Sequence, residues 1–359
     1  MRLGNLFYRP GPAGIFCLNK ERFYNPAHSK AGFLKKIIIS KSKKVRIVIT
    51  DGYTLNPGDL SWKEFYELGD VVYYDRTPAS EVLERCRDAN VIITNKTPVP
   101  SGVIDTVTTL QLIAVTATGY NIIDVAAAKN RGIPVCNVPS YGTYSVAQHA
   151  FALLLELSNH VGLNAASVHA GEWYGSADWC YSKKPVMELK DKIIGIIGLG
   201  KIGKQMGALA MAFGMKVIYH RGKKGLKGAK EVKLHELFMQ SDFISVHCPL
   251  TAENNAFINK ELLGLMKPTA FLINTSRGQL IAEKDLAEAL QQNILAGAAL
   301  DVLSTEPPQP DHALIGLHNC IITPHNAWIS FEARNTLMQT TLDNVRAALK
   351  GNPQNVVNP

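Results

Sequence analysis

Three ionisable residues follow apolar runs that are typical of buried strands. Arg277 comes after FLINTS, Glu306 comes after AALDVLST, and His325 ends CIITPH. An arginine can bind a carboxylate through two parallel hydrogen bonds, and a protonated histidine can give a proton to a ketone oxygen near neutral pH. A carboxylate beside the histidine stabilises the imidazolium and holds its tautomer. Taken singly, each residue also fits an ordinary solvated or packing role. Together they favour reduction of a 2-keto acid, with the hydride supplied by a cofactor.

The stretch GLGKIG supplies a candidate site for that cofactor. Its glycines, Gly198, Gly200 and Gly203, follow the apolar run IIGII and precede KQMGALAMAF, which has helical spacing. In this pattern the first glycine permits a tight turn, the second lets the backbone approach a pyrophosphate, and the third lets the helix pack on the strand. The helix N-terminus then faces the phosphate charge. We therefore expect a dinucleotide-binding loop that also includes Lys201 and Ile202.

The next strand ends without the acidic residue that normally binds the adenosine ribose. KVIYH is followed by Arg221, Gly222, Lys223 and Lys224. Arginine and lysine attract a 2′-phosphate, whereas a carboxylate repels it. The sequence therefore favours NADP over NAD. The alternative is a solvated basic turn, with the ribose of NAD held by backbone groups.

Repeated strand and helix units must position these residues. Nearly continuous apolar strands that alternate with helices predict parallel sheets covered on both faces. Ligands bind beyond the carboxyl ends of such strands, which is where the three ionisable residues lie. The pattern predicts an α/β fold with two doubly wound parallel sheets. Its strand candidates are 46–50, 70–75, 90–95 and 110–117 in the first series, and 192–200, 216–221, 242–248, 270–276, 296–302 and 320–325 in the second.

The positive charge of the chain is concentrated at one end. The net charge is +8, but residues 1–44 hold ten Lys and Arg and one acid, which leaves 28 basic and 29 acidic residues from position 45 onward. A nearly neutral body argues against nucleic-acid binding. Residues 1–44 are expected to be a disordered basic leader, with an organelle-type leader or sequence upstream of the true start as alternatives.

The remaining composition argues against a membrane protein and against a metal site. The longest apolar runs have about eight residues, and about 20 are needed to span a bilayer. The six cysteines contain no C-x-x-C pair and are typical of reduced thiols. We expect a cytoplasmic protein without a disulfide framework. The cysteines lie at positions 17, 86, 136, 180, 248 and 320.

Three blocks of the sequence resemble a known family. INTSRGQLI, GAALDVLSTEPP and ITPHNAW are similar to the signature blocks of the D-isomer-specific 2-hydroxyacid dehydrogenases, and the similarity extends over about 45–357. It implies a Rossmann NAD(P)-binding domain, residues 120–328, inserted into a flavodoxin-like substrate domain of residues 45–119 and 329–359. It also implies a homodimer, in which the apolar helix 145–157 is either a dimer element or a buried inter-domain helix.

The resemblance also implies a role for each candidate residue. Arg277 would bind the substrate carboxylate, His325 would be the acid/base, and Glu306 would stabilise the protonated form of His325. The family's other site positions fall in the same cleft. Substrate-side candidates are Lys96, Thr118 and Gly119, and cofactor-side candidates are His247, Cys248, Pro249, Thr275 and Asp301, the last of which would hold the nicotinamide carboxamide.

The blocks DGYTLNPGDLSW and LGDVVYYDRTP, with Trp328 after the histidine, most resemble the glycerate dehydrogenase or hydroxypyruvate reductase branch. This implies reduction of hydroxypyruvate to D-glycerate, with glyoxylate as a second substrate. Arg221 departs from the NAD preference of that branch. Trp328 would either cap the substrate cleft or pack the hinge. Two other functions stay open from the residues: a cofactor-sensing, corepressor-like binding protein without turnover, and a formate or phosphite dehydrogenase.

Overall fold

A computed structural model describes residues 44–222 and 225–359 of the 359-residue chain. The expected leader lies outside the described residues except for Lys44, and so do Lys223 and Lys224 of the basic turn. Two parallel sheets account for every strand that the structure assigns in the described ranges.

The first sheet has five strands in the order β2-β1-β3-β4-β5, all parallel. Its central strands are apolar at alternate positions on both faces, so that Ile92 and Ile113 join one buried cluster while Val91 and Leu112 join the other. The strands are β1 (Arg46–Ile49), β2 (Asp70–Tyr73), β3 (Val91–Thr94), β4 (Leu112–Val115) and β5 (Val135–Cys136), and the helices between them are α1 (Gly52–Leu55), α2 (Lys63–Tyr66), α3 (Val82–Cys86), α4 (Ser101–Thr106) and α5 (Val125–Asn130).

The second sheet has seven parallel strands in the order β12-β11-β10-β9-β6-β7-β8. The chain starts at β6, winds outward to β8, and then returns to wind the other way from β9, so the order reverses beside β6. Such a switch point is where dinucleotides bind. The strands are β6 (Ile193–Ile197), β7 (Lys216–His220), β8 (Lys230–Glu231), β9 (Phe243–Val246), β10 (Phe271–Asn274), β11 (Gly297–Leu300) and β12 (Cys320–Ile322), and the helices are α6 (Thr143–Asn159), α7 (Val161–His169), α8 (Lys201–Ala212), α9 (Leu234–Gln240), α10 (Lys260–Leu263), α11 (Glu283–Gln291) and α12 (Phe331–Leu349).

The predicted α/β fold with two doubly wound parallel sheets is confirmed. All ten strand candidates are strands, within shorter bounds. The edge strands β5 and β8 were not predicted, because each has only two residues. The apolar helix 145–157 is confirmed as part of α6, which ends at His160, whose φ of 52° lies in the left-handed region and separates α6 from α7.

The domain limits differ in one respect from the predicted ones. β5 pairs with β4, so residues 120–136 belong with the first sheet although the sequence placed them with the second. At the C-terminus, α12 returns to the first sheet, and Leu337 and Leu342 are buried in the same cluster as Ile47. The end of the chain is tied there as well, since the Val357 N–H donates to the Val135 carbonyl at 2.9 Å.

Helix α6 is buried within the second domain. Its apolar residues Ala150, Phe151 and Leu154 lie in the cluster that includes Ile196 and Met206. The apolar face of α6 is therefore buried in the chain itself, and a role of this helix in a dimer stays a prediction. Among the described residues, no helix is both long and apolar enough to cross a membrane.

Candidate active site

The candidate residues gather at the carboxyl ends of the strands of both sheets. Lys96 follows β3, Gly119 follows β4, Arg277 follows β10, and His325 follows β12. The first two come from the substrate-side sheet and the last two from the cofactor-side sheet. The loops of the two domains therefore face one another across a shared cleft.

His325 and Glu306 form a close pair. The His325 Nδ1 lies 2.5 Å from the Glu306 Oε2, and the Glu306 Oε1 accepts a hydrogen bond from the Leu303 N–H at 3.0 Å. An ionised carboxylate can only accept hydrogen bonds, so the Nδ1 carries the proton that joins the pair. In the described part of the chain the second ring nitrogen, Nε2, has no hydrogen-bond partner, which leaves it available to a substrate.

The charge on Glu306 is favoured by its neighbours. Partial burial acts to raise the pKa of the Glu306 carboxyl, but this effect is outweighed. The hydrogen bond and charge of His325, the Leu303 N–H and the charge of Lys96 together hold the pKa of Glu306 below its ordinary value. Glu306 is therefore ionised at neutral pH, as a group that stabilises an imidazolium must be.

The backbone holds His325 in an unusual conformation. Its φ of 51° lies in the left-handed region, which is unfavourable for a residue with a side chain and persists only where neighbouring contacts impose it. The His325 N–H donates to the Asp301 carbonyl at 2.8 Å and to the Thr323 carbonyl at 2.9 Å. The Asp301 carboxylate accepts from the Thr323 hydroxyl at 2.6 Å and from the N–H groups of Asn326 and Ala327 at 2.9 and 3.0 Å.

The same contacts occupy the buried carboxylate of Asp301. The residue is 1% exposed, and its carboxylate already accepts three hydrogen bonds from the loop that carries His325. In the structure the Asp301 carboxylate therefore holds the loop that carries His325. The nicotinamide contact expected for Asp301 stays a prediction.

Arg277 lies against the loop after β4. A Cβ added to Gly119 would meet the Arg277 Nη2 at 2.5 Å, so the guanidinium occupies the space that the missing side chain leaves. The Arg277 Nη1 donates to the Ser276 carbonyl at 2.8 Å. Among the described residues the N–H groups of Thr118 and Gly119 have no hydrogen-bond acceptor, whereas the Thr118 hydroxyl donates to the Val138 carbonyl at 2.8 Å. A guanidinium and two N–H donors side by side form a suitable carboxylate site.

Lys96 reaches into the cleft from the loop after β3. The residue is exposed at the rim, yet desolvation of its ammonium lowers its pKa, with Glu306 opposing and Arg277 reinforcing that effect. The loop is built around Asp51, whose buried carboxylate accepts hydrogen bonds from the N–H groups of Asn95, Lys96 and Thr97 at 2.9, 2.5 and 2.9 Å. Lys96 is therefore held with its charge toward the catalytic pair.

The glycine loop has the geometry expected for a dinucleotide. Gly198 has a φ of 92°, and a Cβ there would meet the Cys248 N at 2.7 Å. A Cβ on Gly203 would meet the Gly198 carbonyl oxygen at 2.4 Å, whereas within the described residues no heavy atom lies within 4 Å of the Cβ position of Gly200. The loop thus packs tightly at its first and third glycines and is open at its second, where α8 begins. An open backbone at a helix N-terminus fits a pyrophosphate.

The remaining cofactor-side residues line the same loop. The Cys248 carbonyl accepts from the Ser276 hydroxyl at 2.6 Å, and the Lys201 ammonium donates to the Ser140 hydroxyl at 2.9 Å. Burial lowers the pKa of His247 to about 4, so its ring is neutral. Thr275 carries a buried hydroxyl that has no hydrogen-bond partner among the described residues. An unpaired buried hydroxyl beside the open loop is consistent with a group supplied by the cofactor.

The remaining cofactor-side candidates are Arg221, Ile202 and Pro249. The Arg221 carbonyl accepts from the Leu199 N–H of the glycine loop at 2.8 Å. The charge of Arg221 also acts on the Cys248 thiol, because it opposes the rise in pKa that burial causes there. Arg221 therefore lies beside the nucleotide loop. Ile202 is partly buried in the first turn of α8, and Pro249 is exposed after Cys248.

One residue near the site, Tyr141, had no signal in the sequence. Burial raises the pKa of Tyr141 to about 12, and the nearby charge of Arg277 acts against this rise, so the phenol lies near the carboxylate site. Its ring meets Trp328 edge to face at 6.3 Å. Trp328 is 7% exposed and belongs to the core of the first domain. Tyr141 lies in the turn just before α6, where no spacing points to a ligand.

A dinucleotide loop beside an arginine, a carboxylate and a histidine defines an NAD(P)-dependent oxidoreductase. A family model described as the D-isomer specific 2-hydroxyacid dehydrogenase NAD binding domain matches residues 151–327. The chain is 47% identical over 321 residues to a hydroxypyruvate reductase of Blautia hydrogenotrophica, covering 88% of this chain and 100% of that protein. It is 37% identical over 317 residues to a glycerate dehydrogenase of Methylorubrum extorquens, covering 87% and 98%.

A solved structure agrees with these similarities. The NADPH-dependent glyoxylate/hydroxypyruvate reductase of Sinorhizobium meliloti, in complex with NADP and malonate, aligns with a TM-score of 0.75 and 29% identity over 87% of this chain and 96% of that one. The protein belongs to the D-isomer-specific 2-hydroxyacid dehydrogenase family. The resemblance stated from the signature blocks is thereby confirmed.

Proposed function

We propose that the protein reduces hydroxypyruvate to D-glycerate, and glyoxylate to glycolate, by hydride transfer from a reduced nicotinamide cofactor. The observation that carries this proposal is the His325–Glu306 pair, joined at 2.5 Å, beside an arginine that faces unpaired backbone donors. The relatives whose names mention hydroxypyruvate, glycerate or glyoxylate support the substrate. The residues of the cleft fit a small 2-keto acid.

Each residue has a defined task in this reaction. Arg277, with the N–H groups of Thr118 and Gly119, binds the substrate carboxylate and orients the keto group. The His325 Nε2–H donates a proton to the ketone oxygen as the carbonyl carbon becomes an alcohol, and Glu306 stabilises the imidazolium before transfer. The bound nicotinamide supplies the hydride. Oxidation of the hydroxy acid uses the same groups, with neutral His325 accepting the proton.

A substitution at His325 tests this assignment. His325→Gln should lower kcat for hydroxypyruvate by at least about 10²-fold and leave cofactor binding within about twofold, since the substitution leaves the glycine loop unchanged. His235→Gln is the matched control, because His235 is an exposed histidine on α9. Turnover by His325→Gln at the wild-type rate would refute the proposal.

A substrate panel separates the alternative functions. Oxidation of formate or phosphite, without reduction of any 2-keto acid, would favour that other class of dehydrogenase. Cofactor binding without turnover of any substrate would favour the sensing function. The proposal requires hydroxypyruvate to have the highest kcat/KM of the panel.

The proposed cofactor preference is NADPH over NADH. Its support is Arg221, which lies beside the nucleotide loop where related sites carry an acid, and a relative that binds NADP. A guanidinium attracts the 2′-phosphate and gains nothing from the NADH hydroxyl. The kcat/KM for NADPH should exceed that for NADH. A kcat/KM for NADH well above that for NADPH would contradict the proposed preference.

We further propose a homodimer in the cytoplasm. Support for the dimer is the apolar surface that follows α6, where Val161, Trp173, Tyr174 and Trp179 are 63%, 50%, 92% and 95% exposed; large exposed apolar patches mark interaction sites. Sedimentation velocity should give twice the monomer mass.

The proposed cytoplasmic location is supported by the described cysteines, which are all unpaired and therefore typical of a reducing compartment. Cell fractionation tests this location.

A further inference from the structure

Glu283 makes an unusual set of contacts outside the cleft. It is the first residue of α11, and its Oε1 accepts a hydrogen bond from the Ser304 N–H at 2.7 Å. Its Oε2 accepts from the Ser304 hydroxyl and lies 3.2 Å from the His312 Nε2. The Glu283 and His312 side chains are 15% and 13% exposed. One largely buried carboxylate thus joins both ends of the segment 304–312.

That segment carries Glu306. Every hydrogen-bonding group of Ser304 is bound by the chain between 279 and 283, since the Ser304 carbonyl accepts from the Gln279 Nε2 at 2.8 Å. Ser304 lies two positions before Glu306, and Leu303, next to it, donates its N–H to the Glu306 Oε1 at 3.0 Å. The position of the catalytic carboxylate therefore depends on how Ser304 is held.

The backbone leaves little freedom at this contact. A Cβ on Gly278 would lie 2.3 Å from the Ser304 N, so the turn after Arg277 packs directly on the start of the Glu306 segment. The Glu283 carboxylate holds the same residue, Ser304, by its N–H and its hydroxyl. Because a buried carboxylate without its donors is strongly unfavourable, the carboxylate and Ser304 hold each other in register.

We infer that Glu283 is a positioning residue that holds Glu306 against His325 through Ser304. The inference rests on the proposed function for the roles of Glu306 and His325. Glu283 touches neither substrate nor cofactor in this arrangement. It acts on the distance between the Glu306 carboxylate and the imidazole, and so on the proton that His325 delivers.

The test combines Glu283→Gln with Ser304→Ala and a matched control. Glu283→Gln keeps the shape of the side chain and removes its charge, and Ser304→Ala removes one of its donors with little risk to folding. Each should lower kcat by about 10- to 100-fold with the cofactor Kd unchanged. Glu288→Gln, an exposed glutamate on the same helix, should have no effect on kcat.

A double-mutant cycle separates positioning from general destabilisation. If Glu283 acts through Glu306, Glu283→Gln should cause no further loss of kcat in a Glu306→Gln background. Multiplicative losses would overturn the inference, and so would a wild-type kcat for the Glu283→Gln variant. Thermal unfolding of each variant shows that the compared proteins are folded.

A spectroscopic readout keeps the inference independent of the substrate. The proton between His325 Nδ1 and Glu306 should give a strongly downfield ¹H NMR signal in the wild type, assigned by its absence from Glu306→Gln. Glu283→Gln should lose or shift this signal, whereas Glu288→Gln should retain it. An unchanged signal in Glu283→Gln would overturn the inference. A wild type that shows the signal but reduces no 2-keto acid would instead contradict the proposed function.

Discussion

Replacing Gly119 with alanine would place a methyl group where the Arg277 guanidinium now lies. The added Cβ would stand 2.5 Å from the Arg277 Nη2, against the 3.4 Å at which ordinary contact begins. The guanidinium must therefore move by about 1 Å, and a misplacement of this size can cost about 10²-fold in rate. We expect kcat/KM for hydroxypyruvate to fall by about 100-fold, or about 2.7 kcal/mol of transition-state stabilisation.

Folding should be nearly unaffected by the same change. The atom that must yield is the end of a flexible side chain, and Gly119 is not among the residues with a positive φ. Gly102→Ala is the matched control, because in the described residues nothing lies within 4 Å of the methyl position. Steady-state oxidation of NADPH measures kcat/KM, and thermal unfolding measures the melting temperature. If Gly119→Ala keeps its kcat/KM within about twofold and its melting temperature, the carboxylate does not bind between Arg277 and this loop.

Three further substitutions test other parts of the site. Lys96→Met should move the acid limb of the kcat/KM profile to higher pH, because Lys96 helps to hold the pKa of Glu306 below its ordinary value. Without Lys96 the ionised carboxylate would be lost earlier as the pH falls; an unmoved limb would exclude this coupling. Arg221→Asp should reduce kcat/KM for NADPH by about 10- to 100-fold, the value of one charged hydrogen bond, and leave that for NADH equal or higher; equal losses with both cofactors would contradict the role of Arg221. Gly198→Ala should lower the free energy of unfolding by about 3 kcal/mol and weaken cofactor binding, since its φ is 92° and its methyl would meet the Cys248 N at 2.7 Å; a wild-type denaturation midpoint would refute this account.

Most of the fold could be predicted because the central strands carry their own signal. In β3 and β4 every residue is buried, so the sequence shows continuous apolar runs between polar turns. The strand β5 has no such run, and it forms only because β4 and the returning C-terminal segment lie on either side of it. The break between α6 and α7 at His160 was not predicted, because the helical spacing continues through it. In the structure the His160 N–H donates to the Glu156 carbonyl at 2.9 Å, and the Gly162 N–H donates to the Glu156 carboxylate at 3.0 and 3.1 Å.

Some residues of the candidate site could be predicted from the sequence, and others could not. Arg277, Glu306 and His325 could be predicted because each follows a strand whose end must face the cleft. Asp51 could not, because its three N–H partners lie 44 to 46 residues further along the chain. Tyr141 has the same difficulty, since only the fold brings its ring to Trp328 and its hydroxyl near Arg277. The spacing of residues in the sequence does not predict contacts between the loops of different strands, however strong these contacts are.

The distribution of these groups between the domains has a consequence for catalysis. Arg277, Glu306 and His325 all lie on the cofactor-side domain, so the contact between His325 and Glu306 is made within one domain, and the other domain adds the charge of Lys96, which helps to keep Glu306 ionised. The N–H donors at 118–119 and the ammonium of Lys96 lie on the substrate-side domain. A substrate carboxylate bound between Arg277 and Gly119, as proposed, would touch both domains at once, and its binding would favour the arrangement in which the cleft is closed and water is excluded from the hydride path. On this reasoning a substrate analogue without a carboxylate should lose more in kcat than a simple loss of binding would explain, because it would leave the two halves of the site without the group that joins them.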